Sequence, residues 1–149
     1  VNALLSFGYT VLFHNVWTFV RARGLHSFAA ALHRDRAGHP SLVSDLMEPF
    51  RAPVVDTAVL GLLFGEQITP ADFVAETRDG LPACRMTLAA RRRFIHALER
   101  RLQSAVAPPA SEDDDWAPND HRHAIDRQVR AFAQAVRYPE SVLETFRIR

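Results

Sequence analysis

The chain has 149 residues, of which 48% are hydrophobic, enough for one ordinary domain with a buried core. Its 18 basic and 17 acidic residues nearly cancel, so the overall charge supplies no strong attraction to DNA. The single cysteine, Cys84, excludes an internal disulfide and a cysteine-based zinc site, and it is compatible with a reducing cytoplasm.

The first twenty residues contain no charged side chain, and a run of that length could span a bilayer. However, insertion into lipid is penalised by repeated polar groups. Such groups recur here at Asn2, Ser6, Thr10, His14, Asn15 and Thr18. We therefore predict no membrane contact and a central helix from Asn2 to Arg23, buried nearly all round, with Gly24 as its C-terminal stop.

A polar-rich segment separates this helix from the next one. A short apolar run leads to His33, and after a turn with Gly and Pro the residue Ser41 is well placed to cap a second helix. Pro49 and Pro53 each remove a backbone donor, so a kink or restart is predicted before the apolar run 54–64. A bend there would aim the side chains beside it.

The segment 73–86 is ambiguous. Thr69 and Pro70 have the pattern of a helix start, with a capping residue followed by a first-turn proline. Further along, Asp79 and Gly80 could turn a small hairpin instead. Both alternatives remain open for these residues.

The C-terminal part of the sequence predicts two amphipathic helices, one beginning near Thr87 and one capped by Asn119. Between them, residues 107–120 combine prolines with a run of acids, and we interpret them as a mobile loop within the domain. The predicted fold is therefore all-α: a single helical domain over 1–149, of about six helices, with or without a small hairpin around residues 73–86.

His33, Asp45 and Glu48 form a candidate metal site. On a helix that starts at Ser41, Asp45 and Glu48 are three positions apart and share a face. Two adjacent carboxylates repel unless a metal ion, an arginine or a proton lies between them. One imidazole with carboxylates suits manganese or magnesium better than a structural zinc. The alternative is that the acids are solvated and the histidine packs or caps a helix.

The same segment resembles the catalytic half of the helical domain of the CRISPR adaptation integrase, the family usually called Cas one. The opening residues VNALLSFGYTVL resemble that family's helix with an Asn and an aromatic-Gly-Tyr step, here Asn2, Phe7, Gly8 and Tyr9. The family then has a His, a turn with Gly and Pro, and a Ser-Leu-x-x-Asp-Leu-x-Glu-x-Phe-Arg run. These are present as His33, Gly38, Pro40, Ser41, Leu42, Asp45, Leu46, Glu48, Phe50 and Arg51.

The resemblance, which runs over nearly the whole chain, implies a catalytic site. His33 and Glu48 would be metal ligands for Mn²⁺ or Mg²⁺, and Asp45 the third catalytic residue, an acid that supports them. The family's third ligand is a glutamate on a helix preceding the Asn-bearing one. That glutamate lies off the N-terminal end of this chain, so we expect an incomplete site and an inactive fragment.

The implied function is that of a metal-dependent DNA endonuclease and integrase of CRISPR adaptation. It inserts new spacer DNA into the repeat array by phosphodiester transesterification. The partners implied by the resemblance are double-stranded DNA, a second copy of the chain and the small adaptation protein Cas two.

Five arginines gather on the helix predicted after Thr87, at Arg91, Arg92, Arg93, Arg100 and Arg101. A basic helix could follow a nucleic-acid backbone, which makes Arg91, Arg92 and Arg93 weak DNA-binding candidates. A solvated, salt-bridged face is the commoner meaning of such runs. A second hypothesis is therefore a noncatalytic helical module that binds DNA or a partner protein through this helix. A glutamate on a helix shortly before Asn2 would favour the integrase instead.

Three further histidines are weaker candidates. His121 and His123 flank Arg122 near Asp120, and the alternation predicts that their rings point apart as a surface pair. His14 is predicted to be a satisfied interior or interface histidine on the first helix.

Overall fold

The computed structural model describes residues 1–29, 38–106 and 120–138, together with 140 and 143. These residues form the helices α1 (Asn2–Ala22), α2 (Ser41–Met47), α3 (Thr57–Phe64), α4 (Leu88–Leu102) and α5 (His121–Arg137), and the strands β1 (Phe73–Arg78) and β2 (Leu81–Met86). The prediction of an all-α fold with about six helices is wrong. The described part of the chain has five α-helices and a two-stranded antiparallel sheet, a mixed α and β arrangement.

The hairpin that Asp79 and Gly80 allowed is present. β1 and β2 pair in antiparallel register with Arg78 opposite Leu81, which leaves Asp79 and Gly80 as a two-residue loop. Both loop residues have positive φ, 52° and 77°, as a type I′ turn requires and as Asp-Gly favours. Most of the strand residues are exposed, so their burial pattern carried little of the periodicity that distinguishes strand from helix.

α1 has one buried stripe and one exposed stripe. Its buried residues recur every four positions, at Leu4, Gly8, Leu12, Val16 and Val20. The exposed stripe is polar and consists of Asn2, Ser6, Thr10, His14 and Thr18. The prediction of a helix buried nearly all round is therefore wrong. By length and composition alone α1 could cross a bilayer, but its apolar stripe packs on α2, α5 and the segment before α3.

Residues 41–64 form one continuous helical segment whose winding changes twice. After α2 the chain tightens into a 3-10 turn at Glu48–Phe50 and then widens into a π-helical turn at Arg51–Asp56 before α3 begins. A proline inside a regular α-helix lacks its N–H and clashes with the carbonyl four residues earlier, and the wider turn relieves this around Pro53. The predicted irregularity at Pro49 and Pro53 is confirmed.

α1, the π-helical turn and α4 pack closely together around Gly8. A Cβ atom on Gly8 would lie 2.5 Å from Val55 Cγ1 and 3.0 Å from Phe94 Cζ. Beside it, the rings of Phe7 and Phe94 have their centroids 5.7 Å apart. Phe94 and Phe50 are the largest fully buried side chains among the described residues. The Gly of the aromatic-Gly-Tyr step thus permits a close helix approach.

α5 is tied to both α1 and α4 by ion pairs. Arg23 Nη2 donates to Asp126 Oδ1 at 2.5 Å, and Arg122 donates two hydrogen bonds to the Glu99 carboxylate at 2.7 and 2.6 Å. The N-cap of α5 is Asp120, whose carboxylate accepts the N–H of His123. The predicted cap, Asn119, and all of the predicted loop 107–120 except Asp120 lie outside the described residues.

Candidate metal site and its surroundings

Glu48 lies where α2 gives way to the 3-10 turn, and its carboxylate is open to solvent. The side chain is 57% exposed, and Glu48 Oε2 accepts a hydrogen bond from Arg51 Nη1 at 3.0 Å. Of the three groups that could offset the charge of a carboxylate here, a metal ion, an arginine or a proton, the structure shows the arginine beside Glu48. The Glu48 carboxylate, foremost, raises the pKa of Arg51, so the guanidinium stays charged.

Arg51 is held in place by Tyr9 of α1. The guanidinium carbon of Arg51 lies 4.2 Å from the centroid of the Tyr9 ring, a cation–π contact. The Tyr9 hydroxyl in turn donates to Asp56 Oδ1 at 2.6 Å, across to the end of the π-helical turn. This hydrogen bond, with burial, raises the pKa of Tyr9. Glu48 therefore stands at the open end of a chain of contacts running to Asp56.

Asp45 differs from Glu48 in its surroundings. It lies on α2, is only 4% exposed and has interaction partners in the fold. The two acids are three positions apart, but one is buried and the other is exposed. The structure therefore does not bring both carboxylates to the open surface that a shared helix face implied.

His33 lies outside the described residues, so the geometry of the predicted three-residue site is described only for Asp45 and Glu48. Within the described residues, no group of three or more His, Cys, Asp or Glu side chains is arranged to hold a metal ion. Of the two ligands that the resemblance implies within this sequence, His33 and Glu48, His33 is not among the described residues. Glu48 is the one ligand candidate that the structure describes.

The turn before α2 contains a histidine that the sequence did not single out. A hydrogen bond of 2.8 Å joins His39 Nε2 to Ser44 Oγ, and the His39 ring lies 6.1 Å from that of Phe13, centroid to centroid. Ser41 is the first residue of α2 and not its cap, since Pro40 occupies the cap position. The Ser41 hydroxyl donates to the His39 carbonyl. The sequence shows that His39 and Pro40 are adjacent in this turn, but it does not show that His39 contacts Phe13 of α1.

Three of the five arginines of α4 are engaged within the fold. Arg91 lies over the Phe7 ring at 6.0 Å, Arg93 pairs with Asp72, and Arg101 Nε donates to the Pro53 carbonyl at 2.6 Å. Arg92 and Arg100 are exposed and have no ion pair with the described residues. Of the weak DNA-binding candidates, Arg92 is the one that is exposed and has neither an ion pair nor a ring contact with the described residues.

The other histidines are positioned differently from one another. His121 is 3% exposed, and its Nδ1–H donates to the Ser104 carbonyl at 3.1 Å, whereas His123 is exposed and pairs with Asp120. Their rings point apart as predicted, but the expected surface pair is wrong for His121. His14 is exposed and stacks on Trp17, so it is not an interior residue, and its placement at an interface stays a prediction.

The fold is shared with chains of two solved assemblies. A chain of "Casposase bound to integration product" superposes with a TM-score of 0.81 at 24% identity, over 96% of this chain and 39% of that one. A chain of "Partial Cas6-RT-Cas1--Cas2 complex" gives a TM-score of 0.79 at 26% identity, over 97% of this chain and 41% of that one.

The matches in sequence identify the family within this fold. The model described as CRISPR associated protein Cas1 matches residues 1–100, and the chain belongs to that family. It is 41% identical to a CRISPR-associated endonuclease Cas1 of Thermus thermophilus over 109 residues, 73% of this chain and 33% of the relative. It is 38% identical to a Cas4/Cas1 fusion of Geobacter sulfurreducens, over 73% of this chain and 19% of the relative. The chain thus spans a third or less of these relatives' length.

Proposed function

We propose that the chain is the C-terminal part of a metal-dependent DNA endonuclease and integrase, which inserts new spacer DNA into a CRISPR repeat array. The observation that carries the proposal is the position of Glu48. It is an exposed carboxylate at a change of helical winding, inside the region that the Cas1 model matches. Hard oxygen ligands of this kind suit Mn²⁺ and Mg²⁺.

The donor chemistry around Glu48 fits a divalent metal ion. Both members of the Glu48–Arg51 pair are more than a third exposed, and such surface pairs contribute little to stability. A cation can therefore replace the hydrogen bond from Arg51 to Glu48 at modest cost, while the guanidinium keeps its contact with the Tyr9 ring. Glu48 and His33 would be ligands and Asp45, which is buried, a supporting acid; His33 takes this role from the resemblance alone.

When bound, the metal ion supplies charge neutralisation at a phosphodiester oxygen during in-line displacement. The 3′ hydroxyl of incoming DNA attacks the phosphorus of a repeat phosphodiester. A new P–O bond forms, the bond to the departing 3′ oxygen breaks, and no covalent bond to the protein is needed. In this chain, Arg51 keeps its positive charge beside Glu48, since the hydrogen bond to Glu48, foremost, raises the pKa of the guanidinium. Tyr9, anchored by Asp56, holds Arg51 in place.

The partners in this proposal are those of the parent protein: double-stranded DNA, a second copy of the chain and the small protein Cas2, acting in the cytoplasm. A Cas2 protein is named in a solved assembly whose chain shares this fold at 26% identity, which supports that choice. The noncatalytic module draws less support from α4. Arg91, Arg93 and Arg101 already have partners inside the fold.

The test is a manganese titration by calorimetry on this chain and on the same chain extended upstream through the helix expected to carry the third ligand. Glu48→Gln should weaken Mn²⁺ binding by at least about tenfold in the extended form, since a ligand is lost. The matched control is Glu76→Gln, because Glu76 also pairs with an exposed arginine, Arg85, at 3.0 Å. Binding unaffected by Glu48→Gln would refute the ligand role.

A further inference from the structure

An open groove of about 450 Å³ lies between the end of α1 and α5, separate from the residues around Glu48. It is lined by Ala22 and Arg23 at the end of α1 and by Arg130, Ala133, Gln134 and Arg137 of α5. The lining contains three arginines and no acid. All four lining residues from α5 lie beyond residues 1–100, the region that the Cas1 model matches.

The positive charge of this lining is only partly balanced within the described residues. Asp126 accepts from Arg23 at 2.5 Å and from Arg130 at 3.3 Å, so one carboxylate serves two guanidinium groups. Arg137 is exposed and makes no hydrogen bond or ion pair with any described residue. Like charges brought to one groove repel, and an anion bound among them removes that cost.

The helix dipole does not explain this arrangement. Arginines at the C-terminal end of a helix interact favourably with its dipole, which accounts for Arg23 and Arg137. That effect falls off within the last turn, however, and Arg130 lies well before the end of α5 at Arg137. Arg130 is nevertheless part of the same lining, with a side chain that is 56% exposed.

We propose that Arg23, Arg130 and Arg137 form a phosphate-binding site that holds the backbone of a DNA duplex. A guanidinium presents a planar fork of donors that matches two phosphate oxygens. The small side chains of Ala22 and Ala133 leave the space between the arginines free. Because Arg130 and Arg137 are exposed at the rim, the site suits a phosphate within a longer ligand on the surface. This site acts in binding and not in the metal-dependent step.

The test measures binding of a short fluorescent DNA duplex by anisotropy, with EDTA present so that no metal chemistry contributes. The double variant Arg130→Gln/Arg137→Gln should bind about tenfold more weakly at low salt and lower the slope of log K against log salt by about two. The control, Arg85→Gln, removes an exposed arginine of β2 and should leave the slope within about one. Thermal melts establish that each variant is folded.

A second arm separates two sources of phosphate. Inorganic phosphate, compared with chloride at equal ionic strength, should raise the Tm of the unmodified chain and not that of the double variant. If the double variant binds DNA with the same affinity and salt slope as the unmodified chain, the proposal is overturned. If phosphate raises the Tm of the unmodified chain but the double variant still binds DNA normally, the DNA backbone is overturned as the ligand. Weakened binding with retained Glu48-dependent Mn²⁺ binding would support it. The anisotropy assay contains EDTA and does not depend on Glu48. The phosphate-binding site and the proposed metal-dependent function are therefore tested independently of each other.

Discussion

Gly8 shows how a single residue without a side chain sets the packing of three elements. Replacing it with alanine places a Cβ 2.5 Å from Val55 Cγ1 and 3.0 Å from Phe94 Cζ, so α1 must move away from the core. We expect Gly8→Ala to lower the free energy of unfolding by about 1 to 3 kcal/mol, the usual cost of overpacking. Urea denaturation measures the change.

Gly61→Ala is the matched control for that variant. Gly61 also lies inside a helix, but a Cβ there meets nothing within 4 Å. Alanine should therefore be neutral or add up to about 1 kcal/mol, because it restricts the unfolded chain and favours helix. Equal effects of the two substitutions would show that Gly8 is not a contact point.

His121 makes stability depend on pH. Burial, foremost, and the charge of Arg101 lower its pKa, although the bond to the Ser104 carbonyl opposes this. The unfolded chain then binds the proton more readily than the folded one. The contribution of the neutral ring is present above the unfolded pKa of about 6.5, and it is lost as the pH falls toward the lower folded value. Asp120 and Arg101 are the charged groups that act on the ring.

We therefore expect the free energy of unfolding to fall between about pH 7 and about pH 5.5 and the fall to shrink in His121→Gln. Urea denaturation at both pH values measures the difference. His96→Gln serves as control, since it makes the same substitution at an exposed histidine of α4. A pH dependence that persists in His121→Gln would assign the effect to other groups.

At the scale of elements, the π-helical turn depends on a side chain from α4. Arg101 Nε donates to the Pro53 carbonyl, a group in the part of the segment where Pro53 and the wide winding disturb the backbone hydrogen bonds. The turn carries Arg51 at one end and Asp56 at the other, the two residues that contact Tyr9. α4 thus supports the candidate site without contacting Glu48 in any described hydrogen bond.

Arg101→Gln should lower the free energy of unfolding by about 1.5 to 3 kcal/mol, because a charged hydrogen bond to a partly buried carbonyl is lost. Arg100→Gln is the control: the same substitution one position earlier, at an exposed side chain without a described ion pair, should change stability by less than about 0.5 kcal/mol. Urea denaturation curves of both variants measure the two changes in the free energy of unfolding. Similar losses in the two would mean that charge, and not the Pro53 contact, matters.

At the scale of the whole molecule, α1 joins the parts of the domain. It contacts α2, the π-helical turn, α5 and β2, and its buried stripe runs along its full length. The polar stripe opposite is exposed, with Thr10 and Thr18 hydroxyls donating to carbonyls one turn earlier. A buried apolar stripe opposite an exposed polar stripe is typical of an amphipathic helix that packs on a protein core.

If α1 is a core helix, Leu12→Ala should cost about 2 to 5 kcal/mol through lost burial and the cavity left behind. Leu88→Ala is the comparison, because Leu88 is 60% exposed and its truncation should cost less than about 0.5 kcal/mol. Both are measured by urea denaturation in aqueous buffer. A chain that needs detergent to stay in solution, or that tolerates Leu12→Ala, would contradict the core assignment.

The sequence by itself determined the local features of this protein. Gly24 with φ of 70° follows the end of α1, the Thr87 hydroxyl caps α4 by accepting the Ala90 N–H, and Asp79 with Gly80 makes the hairpin turn. Such features depend on groups a few residues apart, so residue type and spacing suffice to predict them. The motif containing Asp45 and Glu48 was visible for the same reason.

Only the tertiary structure decided which of these residues are buried and which are open. Asp45 is enclosed and Glu48 exposed although they are three positions apart, and Tyr9 reaches Asp56 across 47 positions. A side chain's environment depends on elements far away along the chain, which local spacing does not specify. The same reason explains why the polar face of α1, the burial of His121 and the arginine-lined groove between α1 and α5 emerged from the fold alone.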